Sequence, residues 1–199
     1  GWADAEAVAG GFTPRPGVHY AALWFNENGL NRALAFRDRL TLVGSISLAA
    51  SDAFSVKNLN RDHQANLEAM RKQTAAHLKH GIPVTRIGVM AAFGCNFQGE
   101  VPISTVVDMV GQILDLGKQY GQEIKTVSLA DTMAWATPES IKRVVGAVRN
   151  RYPDLTLALH LHDTRGMGIA TRPLPDWLGR EAYALAYLGL VLLAVLLAY

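Results

Sequence analysis

The sequence has little of several features that mark common protein classes. It contains a single cysteine, Cys95, which rules out an internal disulfide and is typical of a reducing compartment. No run of lysine or arginine occurs and the formal net charge is only +2, so we expect no nucleic-acid partner. The Gly-x-Gly-x-x-Gly loop of dinucleotide-binding sheets is also absent. With 50% hydrophobic and 18% charged residues, the chain can bury a sizeable core, and wholesale disorder is excluded.

The first residues, Gly-Trp-Ala-Asp-Ala-Glu, have neither the basic nor the apolar region of a secretory signal. We therefore expect a cytoplasmic protein. The sequence does not start with methionine, so we also expect it to have been cut from a longer chain.

Apolar runs of strand length alternate with segments of helical periodicity. We expect strands at 19–25, 40–50, 84–92, 124–130 and 155–163, and helices at 62–80, 103–120 and 138–152. Thr137 and Pro138 suit the start of the last helix as N-cap and first residue. Strands joined by such helices form right-handed βαβ units and a parallel sheet. Because an eight-stranded α/β barrel needs about 250 residues, the fold class predicted is α/β: a partial TIM (β/α)8 barrel of about five parallel strands with outer helices.

The most informative segment is the last of these strands, 155–163, which carries two histidines. Side chains alternate along a strand, so its leucines share one face, and Thr156, Ala158, His160 and His162 share the other. Two imidazoles at one strand end can point at one centre, and neutral imidazole is a common ligand of divalent metals. The spacing favours a metal site, with hydrogen-bonded interior histidines as the alternative.

Polar residues and glycines also follow the other strands, at 50–60, 93–100 and 128–133. In α/β barrels the chemistry lies at the carboxyl ends of the strands. The polar residues of any one loop could simply be turn formers, but four such loops together indicate an active site.

These loops resemble those of the 3-hydroxy-3-methylglutaryl-CoA lyase family, a group of metal-dependent α/β-barrel enzymes. The similar motifs are Ala-Ser-Asp-Ala-Phe-Ser-Val-Lys-Asn-Leu-Asn at 50–60, Phe-Gly-Cys-Asn-Phe-Gln-Gly at 93–99, Ser-Leu-Ala-Asp-Thr at 128–132 with Ala-Thr-Pro at 136–138, and Leu-His-Leu-His-Asp-Thr-Arg-Gly-Met-Gly-Ile-Ala at 159–170. The resemblance extends over about residues 3–170, with the motifs in the family's order.

The resemblance implies cleavage of a 3-hydroxyacyl-CoA thioester to acetyl-CoA and a keto acid by metal-assisted retro-aldol chemistry. It implies Mg²⁺ or Mn²⁺ as the cofactor, with His160 and His162 as two metal ligands. Asp131 would lie near the metal's water shell and relay the hydroxyl proton, or alternatively cap the turn. Lys57 and Asn58 would contact coenzyme A, although Lys57 could equally be a solvated loop charge.

Two residues need separate interpretation. Strict alternation would place Asp131 on the face of Val127 and Leu129, so its catalytic role requires the chain to have begun turning there. Cys95 could be read as a nucleophile, but no histidine or asparagine in the sequence is marked by its pattern as a base for this thiol. A small buried residue is therefore the preferred interpretation of Cys95.

Parts of the family pattern are missing. The first-strand Asp-Arg-Glu motif, the strand with an asparagine ligand and the catalytic-cysteine loop are not in the sequence, so we expect weak metal binding and little turnover from this chain. A carboxyltransferase or aldolase of the same superfamily is the runner-up function, and a non-catalytic, membrane-attached remnant is a third. Exposed edges of an open barrel would favour homo-oligomers.

Residues 1–170 are expected to form the partial barrel, and 171–199 an atypical apolar tail. Residues 182–199 carry no charge, and as a helix they would span about 27 Å. Such a helix could be a membrane anchor with Arg172 and Arg180 on the cytoplasmic side, a cover for the open barrel edge, or a product of truncation or frameshift. The last is favoured, so membrane attachment is expected only if this segment is genuine.

Overall fold

A parallel β-sheet forms the centre of the molecule. The computed structural model describes residues 4–162, 184–186 and 195–196. Within them five strands lie side by side in the order β2-β3-β4-β5-β6, each parallel to its neighbour. The strands are β1 (Ala22–Leu23), β2 (Gly44–Ala49), β3 (Val84–Met90), β4 (Thr126–Ala130), β5 (Thr156–Leu161), β6 (Ala184–Ala186) and β7 (Val195–Leu196).

Helices connect the strands, as the alternating pattern of the sequence predicts. They are α1 (Ala5–Gly11), α2 (Glu27–Leu34), α3 (Asp52–Leu59), α4 (His63–Lys79), α5 (Ile103–Gln119) and α6 (Pro138–Arg151). Thr137 caps α6 with its side chain and Pro138 opens it, which confirms the predicted start. Among the described residues no helix is long and apolar enough to cross a membrane.

The α/β prediction is confirmed, but two of its elements are wrong. The segment 19–25 contributes only the two-residue β1, which pairs with β7 and lies outside the five-stranded sheet. The predicted helix 182–199 contains the strands β6 and β7, and its alanine, leucine and valine residues show no polar periodicity that would favour a helix over a strand. The rest of the predicted tail lies outside the described residues.

The two faces of the sheet differ in character. One face is apolar: Val127, Leu129, Leu157 and Leu159 are nearly or fully buried in one core cluster with residues of α5 and α6. The other face is lined by small or polar residues, and one row across it in register is Ser47, Gly88, Ser128 and Ala158. This is the face on which His160 also lies, since it follows Ala158 by two residues.

Helix α4 buries an unexpectedly polar stripe. Its periodicity predicts a buried face of Leu67, Met70, Thr74 and Leu78. Met70 and Thr74 are buried as predicted, whereas Leu67 and Leu78 are only partly buried. The other buried residues of the helix are polar: Asn66, Gln73 and His77. These polar residues are buried because of their position, since β2 is the outermost strand of the sheet among the described residues. The Asn66 amide donates to the Ser47 carbonyl at 3.3 Å, and the Ser47 N–H donates to Met70 Sδ at 3.4 Å.

The buried His77 joins α4 to the amino-terminal segment. The Trp24 indole N–H donates to His77 Nε2 at 2.8 Å, so the neutral ring carries its proton on Nδ1. That nitrogen faces Gly44, where an added Cβ would lie only 2.7 Å away. Burial, with a smaller contribution from His80, lowers the pKa of His77 to about 4.

Candidate metal and active site

The two histidines predicted as metal ligands lie together at the carboxyl end of β5. His160 is near the end of this strand and His162 directly follows it. Their Nε2 atoms are 3.3 Å apart, with the rings edge to face. Two ligands bound at about 2.1 Å and separated by about 90 to 109° around one ion would stand about 3.0 to 3.4 Å apart. The spacing of the ring nitrogens therefore fits a shared divalent ion.

A backbone contact sets the tautomer of His162. Its Nδ1 lies 2.6 Å from the carbonyl oxygen of Asp131. A carbonyl only accepts, so Nδ1 carries the proton and Nε2 presents its lone pair towards His160. Metal-binding histidines commonly have this arrangement, in which the second nitrogen donates to a carbonyl and fixes the ring.

The electrostatics of His160 also favour the neutral imidazole. Burial lowers the pKa of His160 and the neighbouring His162 lowers it further, while the Asp131 carboxylate opposes both. Only an unprotonated imidazole can bind a metal. The environment therefore keeps His160 in its ligating form near neutral pH.

Asp131 stands at the end of the adjacent strand β4 and is still hydrogen-bonded to β5, and the turn follows at Thr132 and Met133. Its catalytic role therefore stays a prediction. Asp131 is fully buried, directly follows β4, and its N–H donates to the His160 carbonyl at 2.8 Å. Its Oδ1 accepts from the backbone N–H groups of Trp135 at 2.6 Å and Ala136 at 2.9 Å. Oδ2 has no hydrogen-bond partner among the described residues. One oxygen thus caps the turn, and the other is a buried acceptor, while the contacts of Asp131 with the two histidines are made by its backbone.

The loops after β2 and β3 are linked by a small polar cluster around Cys95. The hydroxyl of Ser51 lies 2.9 Å from Cys95 Sγ and 2.9 Å from Gln98 Oε1. Burial alone would raise the pKa of Cys95, but hydrogen bonds from Ser51 and the backbone of residues 97–99 outweigh it and lower the pKa. The thiol is fully buried, in accord with a structural role.

Sequence reasoning missed several contacts that join the loops. Thr132 Oγ1 accepts from the Ala91 N–H at 2.9 Å, and the Trp135 indole N–H donates to Asn96 Oδ1 at 2.8 Å. These residues resemble ordinary turn residues in the sequence, and no periodicity marks them. Ser51 did carry a signal, since Ser-Asp before a helix is a common N-cap, and its hydroxyl accepts from the Phe54 N–H.

The structure does not bring every predicted site residue to the histidines. Lys57 and Asn58 are exposed on α3, and within the described part of the chain no hydrogen bond links them to His160, His162 or Asp131. Nor do the described residues contain a cluster of three or more histidine, cysteine, aspartate or glutamate side chains able to hold an ion. The two imidazoles therefore fit as two ligands of a metal ion whose coordination other groups would complete.

The decisive comparison is with models of protein families. The HMGL-like family model matches residues 23–174, a stretch that includes the histidine strand, Asp131 and the loops described above. This chain belongs to the HMGL-like family.

Members of the HMGL-like family with curated names are similar over most of this chain. The hydroxymethylglutaryl-CoA lyase of Bacillus subtilis is 32% identical over 167 residues, which cover 84% of this chain and 52% of the relative. The cytoplasmic 3-hydroxy-3-methylglutaryl-CoA lyase of Danio rerio is 33% identical over 168 residues, covering 84% and 47%. This HMGL-like chain thus spans about half the length of the curated relatives that it matches.

Solved structures of HMGL-like relatives agree with the fold. The crystal structure of the Bacillus subtilis HMG-CoA lyase matches with a TM-score of 0.75 at 29% identity, covering 91% of this chain and 57% of that one. An Acinetobacter baumannii HMG-CoA lyase in complex with coenzyme A and 3-methylmalate gives 0.71 at 27% identity, covering 92% and 56%. The partial-barrel prediction is in line with these coverages.

Proposed function

We propose that the strands of this chain form the metal-binding part of a lyase that cleaves 3-hydroxy-3-methylglutaryl-CoA, or a related 3-hydroxyacyl-CoA, to acetyl-CoA and a keto acid. The observation that carries the proposal is the pair of ring nitrogens 3.3 Å apart, with His162 fixed by the Asp131 carbonyl. Similarity to named hydroxymethylglutaryl-CoA lyases supports the reaction class.

His160 and His162 would supply two ligands to Mg²⁺ or Mn²⁺. When bound, such an ion acts as a Lewis acid that polarises substrate oxygens and orients them. The residues of this chain would position the histidine nitrogens and accept a proton.

Asp131 is the proposed proton acceptor. Its Oδ2, buried and without a hydrogen-bond partner in the described part of the chain, would take the proton of the substrate's 3-hydroxyl. The C2–C3 bond then breaks as C3 becomes the carbonyl of the keto acid. Its electron pair passes to the thioester as the enolate of acetyl-CoA. A proton from solvent water then adds to C2, and Asp131 returns the hydroxyl proton to the solvent, so that no net proton is gained or lost.

A chimaera tests this proposal without relying on the ends of the chain. Residues 23–162 would replace the matching stretch of the Bacillus subtilis relative, and acetyl-CoA release from 3-hydroxy-3-methylglutaryl-CoA would be measured with Mg²⁺ or Mn²⁺. We expect metal-dependent release that His162→Ala reduces by at least about a hundredfold, since it removes a direct ligand.

Asn150→Ala, an exposed change on the outer helix α6, is the matched control and should leave release unchanged. A chimaera that folds, as judged by circular dichroism and thermal melting, yet releases acetyl-CoA equally well with and without His162 would contradict the proposal.

A further inference from the structure

A tryptophan joins two of the loops at the carboxyl edge of the sheet. The Trp135 indole N–H donates to Asn96 Oδ1 at 2.8 Å, which links the turn after β4 to the loop after β3. The indole also packs closely on Gly94, where a Cβ would come within 2.8 Å of ring atom Cε3. Trp135 is therefore held at its ring face as well as at its nitrogen.

The turn that carries Trp135 is strained. Ala134 has a φ of 58°, a left-handed conformation that costs an L-amino acid with a Cβ free energy. The same turn places the N–H groups of Trp135 and Ala136 on Asp131 Oδ1. A relaxed turn would move these donors, and the contacts outside the turn must offset the strain.

We propose that Trp135 and Asn96 are positioning residues for Asp131. Their hydrogen bond fastens the strained turn to the loop after β3, which keeps Asp131 Oδ1 on its two backbone donors and thereby directs Oδ2 towards the reacting hydroxyl. This inference rests on the proposed function for its catalytic consequence, whereas the effect on the turn does not depend on any activity.

Two substitutions separate the hydrogen bond of the Trp135 indole from its packing. Trp135→Phe keeps an aromatic ring against Gly94 but removes the N–H donor, and Asn96→Ala removes the acceptor from an exposed side chain. If the hydrogen bond holds the turn, Trp135→Phe and Asn96→Ala loosen the turn equally, and the double variant loosens it no more than either single variant. Ala134→Gly, which removes the strain, should restore much of what either variant loses.

The first measurement is amide hydrogen exchange by NMR on the 199-residue chain. In Trp135→Phe and in Asn96→Ala the N–H groups of Trp135 and Ala136 should exchange at least about tenfold faster than in the wild type. The N–H of Ile141, bonded to the Thr137 carbonyl in α6, is the internal control and should not change.

Asn150→Ala is the matched control variant, since it removes an amide from an exposed position of α6. It should leave all three exchange rates unchanged. Unchanged exchange at Trp135 and Ala136 in Asn96→Ala would overturn the inference, even if Trp135→Phe proved too unstable to study.

The second measurement uses the active chimaera. Loss of the bridge should lower kcat about tenfold with little change in KM, because substrate binding is kept and only the proton acceptor is misplaced. Faster exchange together with an unchanged kcat would overturn the positioning role. If the chimaera shows no activity at all, the proposed function fails, and the exchange rates alone decide whether the bridge holds the turn.

Discussion

His77 makes the stability of this protein depend on pH in a predictable direction. Its ring is fully buried and accepts a hydrogen bond from Trp24, so protonation would place a charge in the core and remove that acceptor. The pKa falls from 6.5 to about 4 in the folded chain. Below pH 6.5 the unfolded chain therefore binds a proton that the folded chain does not.

Linkage gives the direction of the pH dependence. The contribution of His77 to the free energy of unfolding is fully present above pH 6.5 and is lost as the pH falls towards 4. A difference of about 2.5 pKa units corresponds to about 3 kcal/mol at most. In His77→Gln an amide oxygen can still accept from Trp24, but nothing at that position titrates.

The assay is urea unfolding of the wild type and His77→Gln at several pH values between 7.5 and 4. The wild type should lose up to about 3 kcal/mol more than the variant over this range, and His77→Asn should behave like His77→Gln. A wild-type-minus-variant difference that stays constant with pH would refute the reasoning, because His77 would then protonate equally well in both states.

Four further substitutions have defined outcomes. Gly44→Ala should lower the free energy of unfolding by about 1 to 3 kcal/mol, because its Cβ would meet His77 Nδ1 at 2.7 Å. Gly146→Ala in α6, with open space around the glycine, should be neutral or stabilise the protein by up to about 1 kcal/mol. Paired thermal melts check both substitutions. Thr137→Ala removes the side-chain cap of α6 and should cost about 1 kcal/mol in the same assay. Asp131→Asn in the chimaera should lower kcat more than it weakens Mn²⁺ binding, measured by steady-state kinetics and metal titration, and the reverse order would assign Asp131 to metal binding instead.

The regular part of the fold was predictable because its signals are local. The strands β2 to β5 and the helices α4 to α6 have lengths and apolar periods that neighbouring residues alone specify. The adjacency of His160 and His162 was predictable for the same reason, since a spacing of two residues places both side chains on one face of a strand.

The missed elements depend on contacts distant in sequence. The buried face of α4 is partly polar because it covers the edge of β2 that has no neighbouring strand among the described residues, where Asn66 and Met70 bond to Ser47. The short helices α2 and α3 contain few apolar residues in a row, and their clearest signals were the N-caps Asn26 and Ser51. Both residues could have been identified from the sequence as helix starts.

The predicted site is only partly assembled by the described residues. Asp131 meets the histidines because β4 and β5 are neighbours in register, with Ala130 beside His160. Lys57 is exposed in the last turn of α3, and in the described part of the chain no hydrogen bond joins it to the histidines or to Asp131. Its proposed contact with coenzyme A stays a prediction.

The central claim is that His160 and His162 together hold the catalytic metal ion. Electron paramagnetic resonance of Mn²⁺ titrated into the chimaera counts bound ions directly, with the His160→Ala/His162→Ala double variant and the Asn150→Ala control measured beside it. The account predicts one bound Mn²⁺ in the parent and the control and none at the same concentrations in the double variant. Undiminished Mn²⁺ binding by the folded double variant would contradict it.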